Sequence, residues 1–248
     1  MNPEQAERYS RQTLLPEIGA DGQERLLAAS ALIVGCGGLG SPVVMYLASA
    51  GVGRLVLVDY DRVELSNLQR QIVHDSDAVG ELKVDSAART VRRLNPGVRV
   101  ETVPRELDGD ELLAAVTGCD VVVDASDNFA TRFALNRACV RVGRPLVSGA
   151  AMRWEGQVAV YDPRRGESPC YRCLYADDGA PGETCARIGV VAPLLGVIGS
   201  LQAMEALKVL LGAGRDLAGR LLVVDALSME IRTLRLGKDP ACPVCATG

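Results

Sequence analysis

Short apolar runs recur through the first 150 residues, each bounded by glycine, asparagine or an acid. Residues 31–34, 54–59, 98–103, 120–124 and 145–148 are of this kind. Runs this short and unbroken read as strands buried on both faces of a parallel sheet. Helical stretches lie between them: 41–50, with Pro42 tolerated in its first turn; 83–94, stopped by Asn95-Pro96-Gly97; 109–117; and 129–142. Residues 66–74 are a polar segment between elements. Strands and helices alternating at these lengths predict an α/β fold built on a Rossmann-like, doubly wound, mainly parallel sheet.

After Gly149 the texture changes. Residues 157–161 alternate like an antiparallel strand, and 163–187 are rich in glycine, proline and charge. Residues 193–211 read as a long apolar helix, and 221–225 with 230–236 as a closing hairpin. Residues 1–30 read as a helical arm broken at Pro16 and Gly19. With no repeat, low-complexity tract or linker, the pattern predicts one domain over 1–248: the arm at 1–30, a nucleotide-binding half at 31–150 and a second half at 151–248.

Composition narrows the function classes. The chain is 48% hydrophobic and 23% charged, ordinary globular material. A net charge of −4 gives no reason to expect nucleic acid, and 4% aromatics leave little for base stacking. Residues 1–11 are polar, without the apolar core of a secretory signal. The best membrane-spanning candidate, 190–201, is short and runs into Gln202, Glu205 and Lys208. The expectation is a soluble, cytoplasmic protein with no membrane partner.

Gly35-Cys36-Gly37-Gly38-Leu39-Gly40 follows a strand and opens a helix. In that setting Gly35, Gly37, Gly38 and Gly40 let the backbone approach phosphates, and the helix N-terminus offers amide donors. Asp59 ends the second strand about 20 residues on, where a carboxylate grips ribose hydroxyls. NAD and ATP both remain open at this point, while no Walker-type GxxxxGK[ST] occurs. The block from Asp59 to Gln71 adds Asp61, Ser66, Asn67 and Arg70, and Lys83 follows; Asn67, Arg70 and Lys83 are donors suited to a triphosphate. Taken singly, Arg70 and Lys83 would be solvated surface charges. Asp127, in Asp124-Ala125-Ser126-Asp127-Asn128, should face the same crevice. Near phosphates a carboxylate needs a cation, so Asp127 is a candidate Mg²⁺ ligand, or else the cap of the following helix.

The eight cysteines divide by setting. Cys170-Tyr171-Arg172-Cys173 and Cys242-Pro243-Val244-Cys245 supply four thiolates in two close pairs, enough to close a structural Zn²⁺ site. A redox CxxC would explain one pair but not two. Cys185 lies in the Gly/Pro-rich excursion near Arg187, where it is either an activated nucleophile or an unused thiol. Cys36, Cys119 and Cys139 read as packing residues. His74, the only histidine, lacks a second group that would make it a base, and it is assigned no role.

From Arg8-Tyr9-Ser10-Arg11-Gln12 through the glycine loop, the Asp59–Gln71 block, Lys83, Asp127-Asn128 and both CxxC pairs, the chain resembles the ThiF/MoeB/HesA family. These are bacterial relatives of ubiquitin-activating enzymes. The resemblance spans nearly the whole chain and looks closest to the MoeB branch, through Ser148-Gly149-Ala150-Ala151, Glu155-Gly156-Gln157 and Ala192-Pro193-Leu194. It implies adenylyl transfer from ATP to the C-terminal glycine of a small ubiquitin-fold sulfur-carrier protein. The molybdopterin-synthase subunit is favoured over the thiamine-thiazole carrier. It further implies Gly38, Asp59, Asn67, Arg70 and Lys83 on ATP, Asp127 on Mg²⁺, and Cys170, Cys173, Cys242 and Cys245 on Zn²⁺. Arg11 would act across a homodimer, and Cys185 would match a crossover-loop cysteine near 174–188. No rhodanese-like extension is visible, so a separate sulfurtransferase or cysteine desulfurase is expected.

Overall fold

The structure, a computed structural model, describes residues 1–177 and 189–246. One eight-stranded sheet organises it, in the order β3-β2-β1-β4-β5-β6-β7-β8. Strands β1 (Ser30–Val34), β2 (Arg54–Val58), β3 (Arg99–Val103), β4 (Val121–Asp124) and β5 (Leu146–Met152) pair in parallel. Antiparallel β6 (Glu155–Tyr161), β7 (Arg220–Asp225) and β8 (Glu230–Arg235) extend the sheet.

The central strands are apolar at nearly every position because helices cover both faces. Ala31, Ile33, Leu55 and Leu57 pack on one side with helices α4 (Gly40–Ser49), α5 (Lys83–Leu94) and α9 (Ala192–Leu211). Leu32, Val56, Val58 and Val122 pack on the other with α6 (Gly109–Thr117) and α7 (Phe129–Val142). Helices α5, α6 and α7 occupy the residues their periodicity predicts.

β5 runs past the predicted end at 148. Gly149, Ala150 and Ala151 are weak strand formers, but they pair with Val158, Gln157 and Gly156 of β6. Gly149 also has to lack a side chain, since a Cβ there would lie 2.3 Å from Gln202 Cδ. Packing with α9 therefore dictates the residue type.

By length and composition α9 could span a bilayer, with mean hydropathy 1.6, contrary to the reading from sequence. It is instead packed on the sheet through Leu194, Leu195, Ile198, Gln202, Glu205 and Val209. Gln202 Nε2 donates to the Asp124 carbonyl at 2.7 Å, and Glu205 Oε2 accepts from the Leu217 N–H at 2.7 Å.

The arm forms α1 (Pro3–Arg8), α2 (Ser10–Thr13) and α3 (Gly19–Ala28). It is fastened to the last turns of α4 and α5. Gln12 Nε2 donates to the Ala50 carbonyl at 3.0 Å, and Arg8 Nη1 to the Leu94 carbonyl at 3.0 Å. A short helix, α8 (Tyr171–Leu174), starts directly after Cys170 and contains Cys173; the sequence pattern showed no sign of it.

Candidate active site

From β1 the chain runs to β2 and β3 on one side of the sheet, whereas β4 and β5 lie on the other. Such a reversal leaves a crevice beyond the carboxyl ends of β1 and β4. The glycine loop fills the turn out of β1. Gly35 has φ +95°, and a Cβ there would stand 2.6 Å from the Ala125 carbonyl oxygen. A Cβ on Gly40 would stand 1.9 Å from the Gly35 carbonyl oxygen. Both positions exclude a side chain.

A cavity of about 580 Å³ opens there, within the range of small-molecule sites. Gly35, Gly37, Gly38, Asp59, Asp61, Arg70, Lys83, Asp127 and Asn128 line it, from five separate stretches of sequence. Asp59 takes the Cys36 N–H on Oδ2 at 2.7 Å and the Asp61 N–H on Oδ1 at 2.9 Å. Burial pushes its carboxyl above the ordinary value, against the pull of Lys83 and those two N–H groups. Lys83 is buried at the first position of α5 and donates to Asp61 Oδ2 at 2.7 Å.

Gly40, Ser66 and Asn67, expected as nucleotide contacts, are not among the residues that line the cavity. Gly40 is buried beneath the loop. Asn67 is drawn into a tight turn, where its Oδ1 accepts from the Glu64 N–H at 3.2 Å and its Nδ2 donates to Ser66 Oγ at 3.3 Å. That turn holds Arg70, whose Nη1 donates to the Ser66 carbonyl at 2.9 Å. Asp127 is exposed and makes no hydrogen bond or ion pair among the described residues. The cap of α7 is Asn128, whose Oδ1 accepts from the Thr131 N–H at 2.9 Å, so capping does not explain Asp127.

The opposite wall is of another kind. Ala150, Met152 and Gln157 come from the antiparallel turn-back, and Tyr171 and Tyr175 stack with ring centroids 4.6 Å apart. Arg132, which no motif flagged, is buried at this wall. Its Nη2 donates to the Ser126 and Gly149 carbonyls at 2.8 and 3.1 Å. Burial opposes its charge, but Asp124, Tyr171 and Tyr175 together more than restore it. Gln71, which only ends a motif in the sequence, also lines the cavity, with a buried Oε1 that has no hydrogen-bond partner among the described residues. Arg11 is exposed on α2 and is not part of the cavity. Cys185 lies outside the described residues.

Cys170, Cys173, Cys242 and Cys245 converge with all four sulfurs within 4.8 Å of one another. Neighbouring pairs are 3.4, 3.6 and 3.9 Å apart. Sulfurs about 2.3 Å from a tetrahedral zinc are about 3.8 Å from each other, so the cluster fits that ion. Burial raises the Cys242 thiol, but the N–H groups of Cys245 and Val244 outweigh it and hold it down, at about 7. Asn136 of α7 donates through Nδ2 to Cys170 Sγ at 3.6 Å and accepts the Tyr171 N–H at 2.8 Å. The cluster thus joins the C-terminal tail to the element carrying Tyr171.

The profile of the ThiF family matches residues 9–244. A sulfur carrier protein adenylyltransferase of Thermus thermophilus is 50% identical over 247 residues, covering 98% of this chain and 91% of that protein. The molybdopterin-synthase adenylyltransferase of Escherichia coli is 49% identical over 238 residues, covering 96% and 95%. Among solved structures, E. coli MccB with MccA-N7isoASN superposes with a TM-score of 0.84 at 27% identity, covering 97% of this chain and 74% of that one.

Proposed function

The chain belongs to the ThiF family, and we propose that it uses ATP to adenylylate the C-terminal glycine of a small ubiquitin-fold sulfur-carrier protein. The observation that carries this reading is a single cavity with two unlike walls. One offers the glycine loop, Asp59, Arg70 and Lys83, the groups a nucleoside triphosphate needs. The other, from Ala150 to Gln157 and the two tyrosines, is the entry for an extended peptide end.

The chemistry follows from these groups. The carrier's terminal carboxylate is ionised near neutral pH and needs no general base. One of its oxygens bonds to the α-phosphorus, and the bond from that phosphorus to pyrophosphate breaks. Arg70 and Lys83 offset the charge that shifts onto the leaving group, and the cavity holds the reactants in line. Asp127, exposed and without a partner among the described residues, fits a Mg²⁺ ion, which when bound would neutralise phosphate charge. The four-thiolate cluster would hold Zn²⁺ in a structural role, since it leaves no open ligand position.

Arg11 would complete the site from the second subunit of a homodimer. Sulfur would come from a separate sulfurtransferase or cysteine desulfurase. If Cys185 takes part, it does so in sulfur transfer, so Cys185→Ala should exchange pyrophosphate as wild type does; loss of exchange would remove that assignment.

The Ser148-Gly149-Ala150-Ala151 and Glu155-Gly156-Gln157 segments favour the molybdopterin-synthase small subunit as carrier over the thiazole carrier. The test is ATP–pyrophosphate exchange with a panel of carriers ending in Gly-Gly. Exchange that depends on a carrier supports the reading. A chain that is stabilised by NAD and not by Mg-ATP, and exchanges nothing, refutes it.

A further inference from the structure

The glycine loop is held from below by the chain's only histidine. His74 is 7% exposed, with Nε2 2.9 Å from the Cys36 carbonyl oxygen and Nδ1 2.9 Å from Ser86 Oγ. A carbonyl oxygen only accepts, so Nε2 carries the proton. Burial holds the imidazole below its ordinary pKa, which keeps the ring neutral near pH 7. Nδ1 is then the acceptor, and the Ser86 hydroxyl donates its hydrogen bond to it. Ser86 lies on α5, the helix that begins with Lys83. Through this histidine, the helix that bears the lysine is bonded to the loop.

The Cys36 carbonyl and the Gly37 N–H share one planar peptide, and in a trans peptide they point in opposite directions. Turning the carbonyl down onto His74 therefore turns the Gly37 N–H up. Gly37 lines the cavity, and its N–H has no hydrogen-bond partner among the described residues. On the other side of Cys36, its own N–H is fixed on Asp59. Gly37 itself offers no resistance to a flip of this peptide, because glycine takes φ of either sign. The freedom that lets a phosphate come close also lets the donor turn away, and only the His74 hydrogen bond opposes that.

We propose that His74 is a positioning residue for the nucleotide's phosphates: its Nε2–H locks the Cys36–Gly37 peptide so that the Gly37 N–H is presented to a phosphate oxygen, with Ser86 fixing the ring's tautomer. This rests on the reading of the cavity as a triphosphate site. The lock needs a donor at the Nε2 position and nothing else that is specific to imidazole.

Two amides separate that requirement from general packing. His74→Gln can place an N–H where Nε2 stands, whereas His74→Asn reaches only as far as Nδ1. Affinities for Mg-ATP and for adenosine, which has no phosphate, are measured by ligand-observed NMR on folded protein. His74→Asn should weaken ATP roughly tenfold to a hundredfold, the worth of one hydrogen bond to a charged group, and leave adenosine unchanged. His74→Gln should leave both affinities at the wild-type value within measurement error. Ser86→Ala keeps the ring but frees its tautomer, and should cost ATP alone roughly threefold; it carries the test if His74→Asn does not fold. Wild-type ATP affinity in the Asn and Ala variants, or equal losses of ATP and adenosine, overturns the proposal. A wild-type protein that binds no ATP overturns the nucleotide reading, and this proposal with it.

Discussion

Lys83 Nζ donates to Asp61 Oδ2 at 2.7 Å, and the two partners differ sharply in exposure, 8% for the lysine side chain and 52% for the aspartate. The buried partner faces the cavity, while the exposed one can be hydrated without it. Lys83 can therefore turn to a phosphate without leaving a desolvated anion behind. Lys83→Met should keep folding stability within about 1 kcal/mol of wild type, the scale of a half-exposed ion pair. Pyrophosphate exchange should fall by ~10²–10³-fold, the scale of losing one aimed charge stabiliser. A variant that unfolds, or one that exchanges normally, contradicts this account.

The cysteine cluster sits beside the wall formed by Tyr171 and Tyr175, not beside the glycine loop. Freshly purified protein should contain about one zinc per chain. Cys242→Ala should lose metal and lower the thermal midpoint by roughly 5–10 °C. The predicted kinetic signature is selective: the KM for the carrier should rise while the KM for ATP stays near wild type. Equal rises in both would mean that the cluster supports the whole cavity and not one wall.

Burial lowers the pKa of His74 from its model-peptide value of 6.5. Between that value and the lower folded one, the unfolded chain binds more protons than the folded chain. The stability this group contributes is present above about pH 6.5 and is lost as pH falls through the folded pKa. Chemical denaturation from pH 7.5 to 5.5 should show that decline, and His74→Gln should remove this histidine's share of it. An unchanged slope in the variant would place the titration elsewhere.

How far the sequence revealed the molecule depended on whether a feature is local. The buried strands, the helices α5 to α7, the glycine loop and the paired cysteines each carry their cause within a few neighbouring residues. What escaped the reading depends on partners distant in the chain. β5 runs on through Gly149 because Gln202 and β6 meet it there. His74 had no visible second group, because that group is Ser86 across a loop and the Cys36 backbone oxygen. Arg132 had no motif at all; its carbonyl partners lie in the turn after β4 and on β5.

Arg11 poses the sharpest question of assembly. Its helix α2 is tied through Gln12 to the Ala50 carbonyl beyond α4, and the preceding α1 through Arg8 to the Leu94 carbonyl at the end of α5. α5 begins at the cavity with Lys83 and α4 begins with Gly40 beneath the glycine loop, and at 1.5 Å per residue they carry the chain roughly 15–18 Å away. Arg11 therefore stands away from its own chain's cavity, exposed and without a hydrogen bond or ion pair among the described residues. If it grips phosphate, it does so on another subunit, where a planar, permanently charged guanidinium can hold two oxygens at once. Arg11→Ala should then cost ~10³-fold or more in exchange rate, by analogy with arginine fingers in phosphoryl transfer. Arg11→Ala and Asp127→Ala proteins, each inactive alone, should complement when mixed. Each heterodimer would hold one site with both lesions and one with neither, so activity should recover toward half of wild type per heterodimer. If mass spectrometry confirms subunit exchange and the mixture stays inactive, Arg11 does not act in trans. The same geometry that keeps it from its own cavity would then leave it no part in the reaction.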